Sequence, residues 1–278
     1  LKLMSLLTRV AIIALVCISL QSCNLTDHIK PPNKVQPQLQ QLTDSLYNHF
    51  SSQWNIDNGG IFMRVTNPSG SYLVSSNIEP GVQDNSHFRV ASISKTFTAA
   101  AIMRLYQEKQ LSLDDTITKY LPNTPDYDIP YKDSITIKLL LQHRAGVFDI
   151  TNQKIPQHPY AGKSYRDYVL GDSNQDNHTF TFDELTGVIA QNGLFNHEPD
   201  AQFHYSNSGY HLLAKIVEIV QQRRGMPMSF NDYITKTFFE PLELTNTYGV
   251  VSGNDQRMRD PFIESFAHLL DGDKNPVT

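Results

Sequence analysis

The sequence predicts an α/β chain of the α+β kind, with one antiparallel hairpin followed by a mostly helical region. Three observations carry this. Two β-rich runs, residues 60–66 and 71–75, flank the turn Asn67-Pro68-Ser69-Gly70. Beyond Ser92, apolar residues recur at helical spacing in segment after segment. Thr181-Phe182-Asp183-Glu184 has the form of a capping box, in which a threonine and a glutamate satisfy the first free N–H groups of a helix.

At the N-terminus, Lys2 and Arg9 come before an apolar run over residues 10–20. Such a run is too short to cross a bilayer, which takes about 20 residues of helix. It reads as the apolar region of a signal peptide. It ends in Leu20-Gln21-Ser22-Cys23, which resembles a bacterial lipoprotein signal. That resemblance implies removal of residues 1–22, lipidation of Cys23, and an exported chain anchored to a bacterial membrane, facing the periplasm or the cell surface. Cys17 would leave with the signal, and no thiol would remain for a disulfide or a cysteine nucleophile. Residues 23–37, polar and proline-bearing, read as a tether.

From Gln38, the residues Leu39, Leu42, Leu46, Tyr47 and Phe50 predict a helix to about Ser52. The hairpin follows. Residues 92–109 are apolar on most sides, as a central helix would be. Residues 135–142 predict a short helix with a glycine stop at Gly146. The capping box opens a helix through Ala190. Residues 209–223 carry the stripe Leu212, Leu213, Ile216, Val217, Ile219 and Val220, and residues 230–239 also read as helical. Two strands alone do not make a stable sheet. Further strands are therefore expected, yet nothing after Val251 reads as them. The chain of 278 residues is 40% hydrophobic and 18% charged, as a folded protein is, and its formal charge is −5. No basic face for nucleic acid is present.

Chemistry concentrates at two places. Ser92-Ile93-Ser94-Lys95 sets a hydroxyl and an amine three residues apart, on one face of a helix. A lysine held against a serine can take its proton once burial favours the neutral amine. Tyr205 and Asn207 are two apart in a loop entering the next long helix, so an extended backbone would aim both at one cleft. A tyrosine beside an ammonium has its anion favoured and can act as acid or base.

With the intervening Leu139-Leu140-Leu141-Gln142-His143, this ordered set resembles the penicillin-recognising serine hydrolases. Within them the resemblance is to class C β-lactamases, D-alanyl-D-alanine carboxypeptidases and related esterases. It covers roughly residues 38–250. It implies a serine β-lactamase/transpeptidase-like fold over residues 38–278, with a helical domain and an incomplete antiparallel sheet domain. It implies Ser92 as the acylated nucleophile, Lys95 as its base or proton shuttle, Tyr205 as general acid/base, and Asn207 as a hydrogen-bond partner of the substrate amide. The Ser92 N–H would form half of an oxyanion hole at a helix N-terminus. The implied substrates are D-alanyl-D-alanine-type peptides or β-lactams. A small-ester esterase and a non-catalytic cell-wall-binding lipoprotein are the alternatives. No cofactor, no metal and no nucleic acid are expected; peptidoglycan and the membrane are, and the chain would be a monomer.

One departure bears on activity. A third family motif, a Lys/His-x-Gly triplet on a strand beside the nucleophile, has no match after Asn207. Gly249-Val250-Val251-Ser252-Gly253 lacks the basic residue. The C-terminal strands are accordingly expected to be missing. Among blander readings, His143 satisfies backbone groups at a helix end, and His204 points away from Tyr205. The loop from Asp172 to Asp183 has only a partial likeness to a calcium loop, with Asn177 where a glycine belongs.

Overall fold

The computed structural model describes residues 35–55, 59–78, 82–83, 85–172, 178–249 and 258–263. The predicted signal segment, Cys23 and the tether up to residue 34 lie outside them, as do residues 250–257. The chain divides into two compact units, Leu1–Phe88 with Asp260–Thr278, and Arg89–Arg259.

In the first unit, helix α1 (Val35–Trp54) begins three residues before the predicted start, so residues 35–37 form its first turn rather than the end of a tether. The hairpin is as the sequence predicts. β1 (Ile61–Asn67) pairs antiparallel with β2 (Gly70–Ser76), with Asn67 opposite Gly70 across the turn. The Asn67 side chain accepts the N–H of Ser69 at 2.8 Å, which is why an asparagine opens this turn. Among the described residues the sheet has two strands. Its support comes from α1. Thr43 is buried on the helix, Tyr72 and Val74 on β2. Gln40 donates to the Ser75 carbonyl at 2.7 Å and Gln36 to that of Leu73 at 3.3 Å, satisfying an edge that would otherwise face water. The predicted apolar stripe is only partly used. Leu42 and Phe50 are about half exposed, because a two-stranded ribbon is narrower than the stripe.

The second unit holds the larger core. A 3₁₀ turn (Ala91–Ile93) leads into α2 (Ser94–Gln107), so Ser92 lies in the tighter turn that heads the helix. α3 (Ile137–Leu141) is capped by Thr136, which accepts the Leu139 N–H at 3.2 Å. α4 (Phe182–Gln191) has the predicted capping box, with both of its bonds formed. α5 (Asn207–Arg223) is capped by Ser206, accepting from the Gly209 N–H at 3.2 Å. α6 (Phe230–Ile234) runs on into a wide turn through Phe239.

α2 packs on α5. Ala101, Ile102 and Leu105 of α2 and Leu212, Leu213, Ile216 and Val217 of α5 are buried in one cluster, joined by Ile137 and Leu140 of α3. Each fully buried Leu or Ile contributes about 1.5–3 kcal/mol, so this cluster fixes where the heads of α2 and α5 sit. The expectation that α2 would be enclosed on most sides does not hold. Ile93, Met103 and Tyr106 are exposed, because its described neighbours cover one face only.

Candidate active site

The heads of α2 and α5 meet, and this brings the four predicted residues together. Ser92 Oγ lies 2.7 Å from Tyr205 Oη. Lys95 Nζ donates to Ser92 Oγ at 3.3 Å and to Asn207 Oδ1 at 2.5 Å. The ammonium also sits 4.9 Å from the centre of the Tyr205 ring and 5.7 Å from that of Tyr210. Ser92 and Tyr205 are exposed and Lys95 half-buried, so a small molecule in solvent can reach the hydroxyl.

Local sequence explains the placement. Ala91 has φ +43, a left-handed conformation that costs an alanine about 1–2 kcal/mol. That kink reverses the chain just before Ser92, and the Ser94 hydroxyl donates back to the Ala91 carbonyl to hold it. Tyr205 directly precedes the Ser206 cap, whose backbone is extended, and Asn207 is the first residue of α5.

The electrostatics favour the ionised form of Tyr205. Burial pushes the Tyr205 phenol up, but hydrogen bonds with Lys95 and Ser92 and the Lys95 charge outweigh it, and the net shift is down. A phenol easier to ionise is a better proton acceptor near neutrality.

His143 lies behind the tyrosine. Its ring stacks on Tyr205 with centroids 4.4 Å apart and on Tyr210 at 4.9 Å. Its Nδ1 accepts the backbone N–H of Ser206 at 3.2 Å. Burial and the Lys95 charge hold the imidazole below its ordinary value, so it stays neutral and able to accept. The expectation that His143 serves backbone groups at the helix end before Gly146 is met only in kind: its backbone partner is the Ser206 N–H, in the Tyr205 loop, and not a group of α3. His204 Nδ1 lies 3.2 Å from Asn196 Nδ2 and 3.1 Å from the backbone carbonyl oxygen of Tyr205.

Sequence reasoning missed Asp149. Its carboxylate, 2% exposed, accepts from the Thr151 N–H, the Thr151 hydroxyl and Asn152. Asn207 Nδ2 reaches it at 3.2 Å and reaches Thr151 Oγ1 at 2.8 Å. Both N–H groups of Asn207, the residue the resemblance implies as a hydrogen-bond partner of the substrate amide, are thus engaged within the protein. A legible signal did exist: a lone acid inside the apolar run Val147-Phe148-Asp149-Ile150.

The loop with partial calcium-site character lies in part outside the described residues. At its twelfth position, Asp183 accepts from the Tyr127 hydroxyl and pairs with Lys215 at 3.4 Å. Among the described residues no cluster of His, Cys, Asp and Glu is arranged to hold a metal, and no helix is long and apolar enough to cross a membrane.

The beta-lactamase family profile matches residues 65–259. "Protein flp" of Staphylococcus aureus is 32% identical over 161 residues, covering 58% of this chain and 27% of that protein. Penicillin-binding protein 4* of Bacillus subtilis is 30% identical over 168 residues, covering 60% and 31%. The chain therefore matches less than a third of the length of these relatives. Among solved structures, a D-stereospecific amidohydrolase from Streptomyces has a TM-score of 0.59 at 20% identity, covering 76% of this chain and 55% of that one. The octameric penicillin-binding protein homologue from Pyrococcus abyssi has 0.58 at 23% identity, covering 85% and 49%. These likenesses show a shared β-lactamase/transpeptidase-like fold, and with the profile match over most of its length the chain belongs to the beta-lactamase family of serine hydrolases.

Proposed function

We propose that this chain is a hydrolase that works through an acyl-enzyme on Ser92, on D-alanyl-D-alanine-type peptides or β-lactams. The observation that carries the reading is the 2.7 Å contact between Ser92 Oγ and Tyr205 Oη with Lys95 against both. The Ser92 hydroxyl attacks the carbonyl carbon and its proton passes to Tyr205. The C–N bond breaks as that proton is delivered to the leaving nitrogen. Water, deprotonated by the same tyrosine, then cleaves the ester and restores Ser92. Lys95 Nζ lies within hydrogen-bond reach of Ser92 Oγ and Asn207 Oδ1 and against the Tyr205 ring, and its charge favours the Tyr205 anion. The names of the relatives, a penicillin-binding protein and an amidohydrolase acting with D-stereospecificity, favour amide over ester substrates.

Incubation of the full chain with a fluorescent penicillin, followed by mass spectrometry, tests this. An adduct on Ser92 that is lost in Ser92→Ala is expected. No adduct, together with saturable peptidoglycan binding indifferent to Ser92→Ala, would replace the reading with a non-catalytic cell-wall-binding one. Faster turnover of p-nitrophenyl esters than of D-alanyl-D-alanine peptides would make it an esterase.

We further propose export and lipid anchoring through Cys23, supported by the residues 10–23 alone. Fatty-acid labelling of the expressed protein, abolished in Cys23→Ala, is the expected result; labelling unchanged by the substitution would sink the idea.

A further inference from the structure

We propose that Asp149 is a positioning residue for the reaction at Ser92: it orients the Asn207 amide so that the oxygen, and not the nitrogen, faces Lys95. The inference rests on the acyl-enzyme reading above.

The orientation of an asparagine amide is commonly ambiguous, and a hydrogen-bond network has to decide it. Here the network begins at a group with a single role. An ionised carboxylate only accepts. Asp149 Oδ1 takes the Thr151 N–H at 3.1 Å and the Thr151 hydroxyl at 2.8 Å, and Oδ2 takes Asn152 Nδ2 at 3.0 Å. Thr151 has then spent its only hydroxyl proton on Asp149, so toward Asn207 it can only accept, and it does so at 2.8 Å. The second proton of Asn207 Nδ2 points at Asp149 Oδ2, 3.2 Å away. Both amide protons are placed, which leaves Oδ1 directed at Lys95 Nζ at 2.5 Å. The reverse orientation would set the NH₂ group against an ammonium and the amide oxygen against nothing but acceptors.

Burial makes the device firm. Asp149 is 2% exposed, so water does not compete for its lone pairs. Its backbone N–H is tied as well, to Gln153 Oε1 at 2.7 Å. The carboxylate stands one side chain away from the ammonium, with the Asn207 amide between the two.

The test uses the full chain and the rate of Ser92 acylation by a fluorescent penicillin. In Asp149→Asn the side chain keeps its shape but presents an NH₂, which forces Asn207 to turn and offer its own NH₂ to Lys95. Acylation is expected to slow about 10- to 100-fold, the loss of one hydrogen bond to a charged group. In the double variant Asp149→Asn/Asn207→Asp an acceptor faces Lys95 again, and recovery of at least tenfold (~10-fold) over the single variant is expected. A role in packing alone predicts no such rescue, so a folded double variant no faster than the single one would overturn the proposal, as would unchanged acylation in Asp149→Asn. If the variants do not fold, hydrogen exchange of the Asn207 side-chain amide in the unaltered protein decides. Protection of both protons is expected, and exchange as fast as at an exposed asparagine would overturn it. An unaltered chain that forms no Ser92 adduct defeats the acyl-enzyme reading, whereas the same exchange measurement still judges the amide's placement.

Discussion

Gly146→Ala tests whether the loop behind Tyr205 is set by one close backbone approach. Gly146 has φ +71, and a Cβ there would lie 1.9 Å from the His197 carbonyl oxygen. The left-handed backbone alone costs an alanine about 1 kcal/mol. Relieving the overlap requires the two chains to part by more than 1 Å (~1.3 Å, to reach ordinary contact), and their interlocking bond, Asn196 N–H to the Gly146 carbonyl at 2.9 Å, goes with it. Adding about 1 kcal/mol for that bond and a similar amount for disturbed packing gives about 3–4 kcal/mol. For a unit of this size that is a drop of about 6–15 °C in Tm. Gly225→Ala is the control, since its φ is +74 and nothing lies within 4 Å of the added Cβ. It should lose about 2–4 °C. Thermal unfolding followed by circular dichroism measures both. Equal losses in the two variants would refute the reasoning, because only the approach to His197 distinguishes them. Acylation at Ser92 should fall in Gly146→Ala as well. Asn196 binds His204, and the His204 N–H binds the His143 carbonyl at 2.8 Å, so the strain lies one step from the ring that backs Tyr205.

Three further outcomes follow from the site. In an ultraviolet titration, the difference between the unaltered chain and Tyr205→Phe should show one phenol ionising below 10, since the Lys95 and Ser92 contacts outweigh burial; a difference only above that value would contradict the placement. Tyr205→Phe should also slow acylation by an activated p-nitrophenyl ester by about 10²- to 10⁴-fold, because such a leaving group needs no proton and the loss then reports the base alone; survival of ester acylation would give the basic role to Lys95. His143 is held below 6.5 in the folded protein by burial and by Lys95, so its contribution to stability is complete above 6.5 and is lost as pH falls from there through the lower folded value. Tm should accordingly fall between pH 7 and pH 5 less steeply in His143→Gln than in the unaltered chain, with His211, also held down by burial, keeping its own share of the slope.

The residues that meet at Ser92 were legible because local spacing encodes them. Ser92 and Lys95 share a helix face, and Tyr205 and Asn207 flank a helix start, so each pair is a short-range pattern. The turn at Asn67, the cap at Thr181 and the stripe on α5 were legible for the same reason: each is settled within a few residues of chain. Burial was less so. The stripe on α1 and the apolar surround of α2 both overstated what is covered, because periodicity records what a face could bury, and the partner determines how much it does. Orientation was the least legible. Asn207 invites assignment to substrate because an exposed carboxamide near a nucleophile has donors to offer. What removes those donors is an acid 58 residues away, brought under α5 when Ser208 Oγ accepts the Ile150 N–H at 3.0 Å in the core. No local pattern links the two positions. Yet Asp149 was marked in another way. A charge between Phe148 and Ile150 is costly to bury unless its lone pairs are taken, so a buried acid in an apolar run implies a set of donors waiting for it. Asking which donors these are leads to Thr151, then to Asn207, and through its amide to Lys95. A side chain that contradicts its apolar neighbours is therefore as direct a pointer to the site as the nucleophile's own motif.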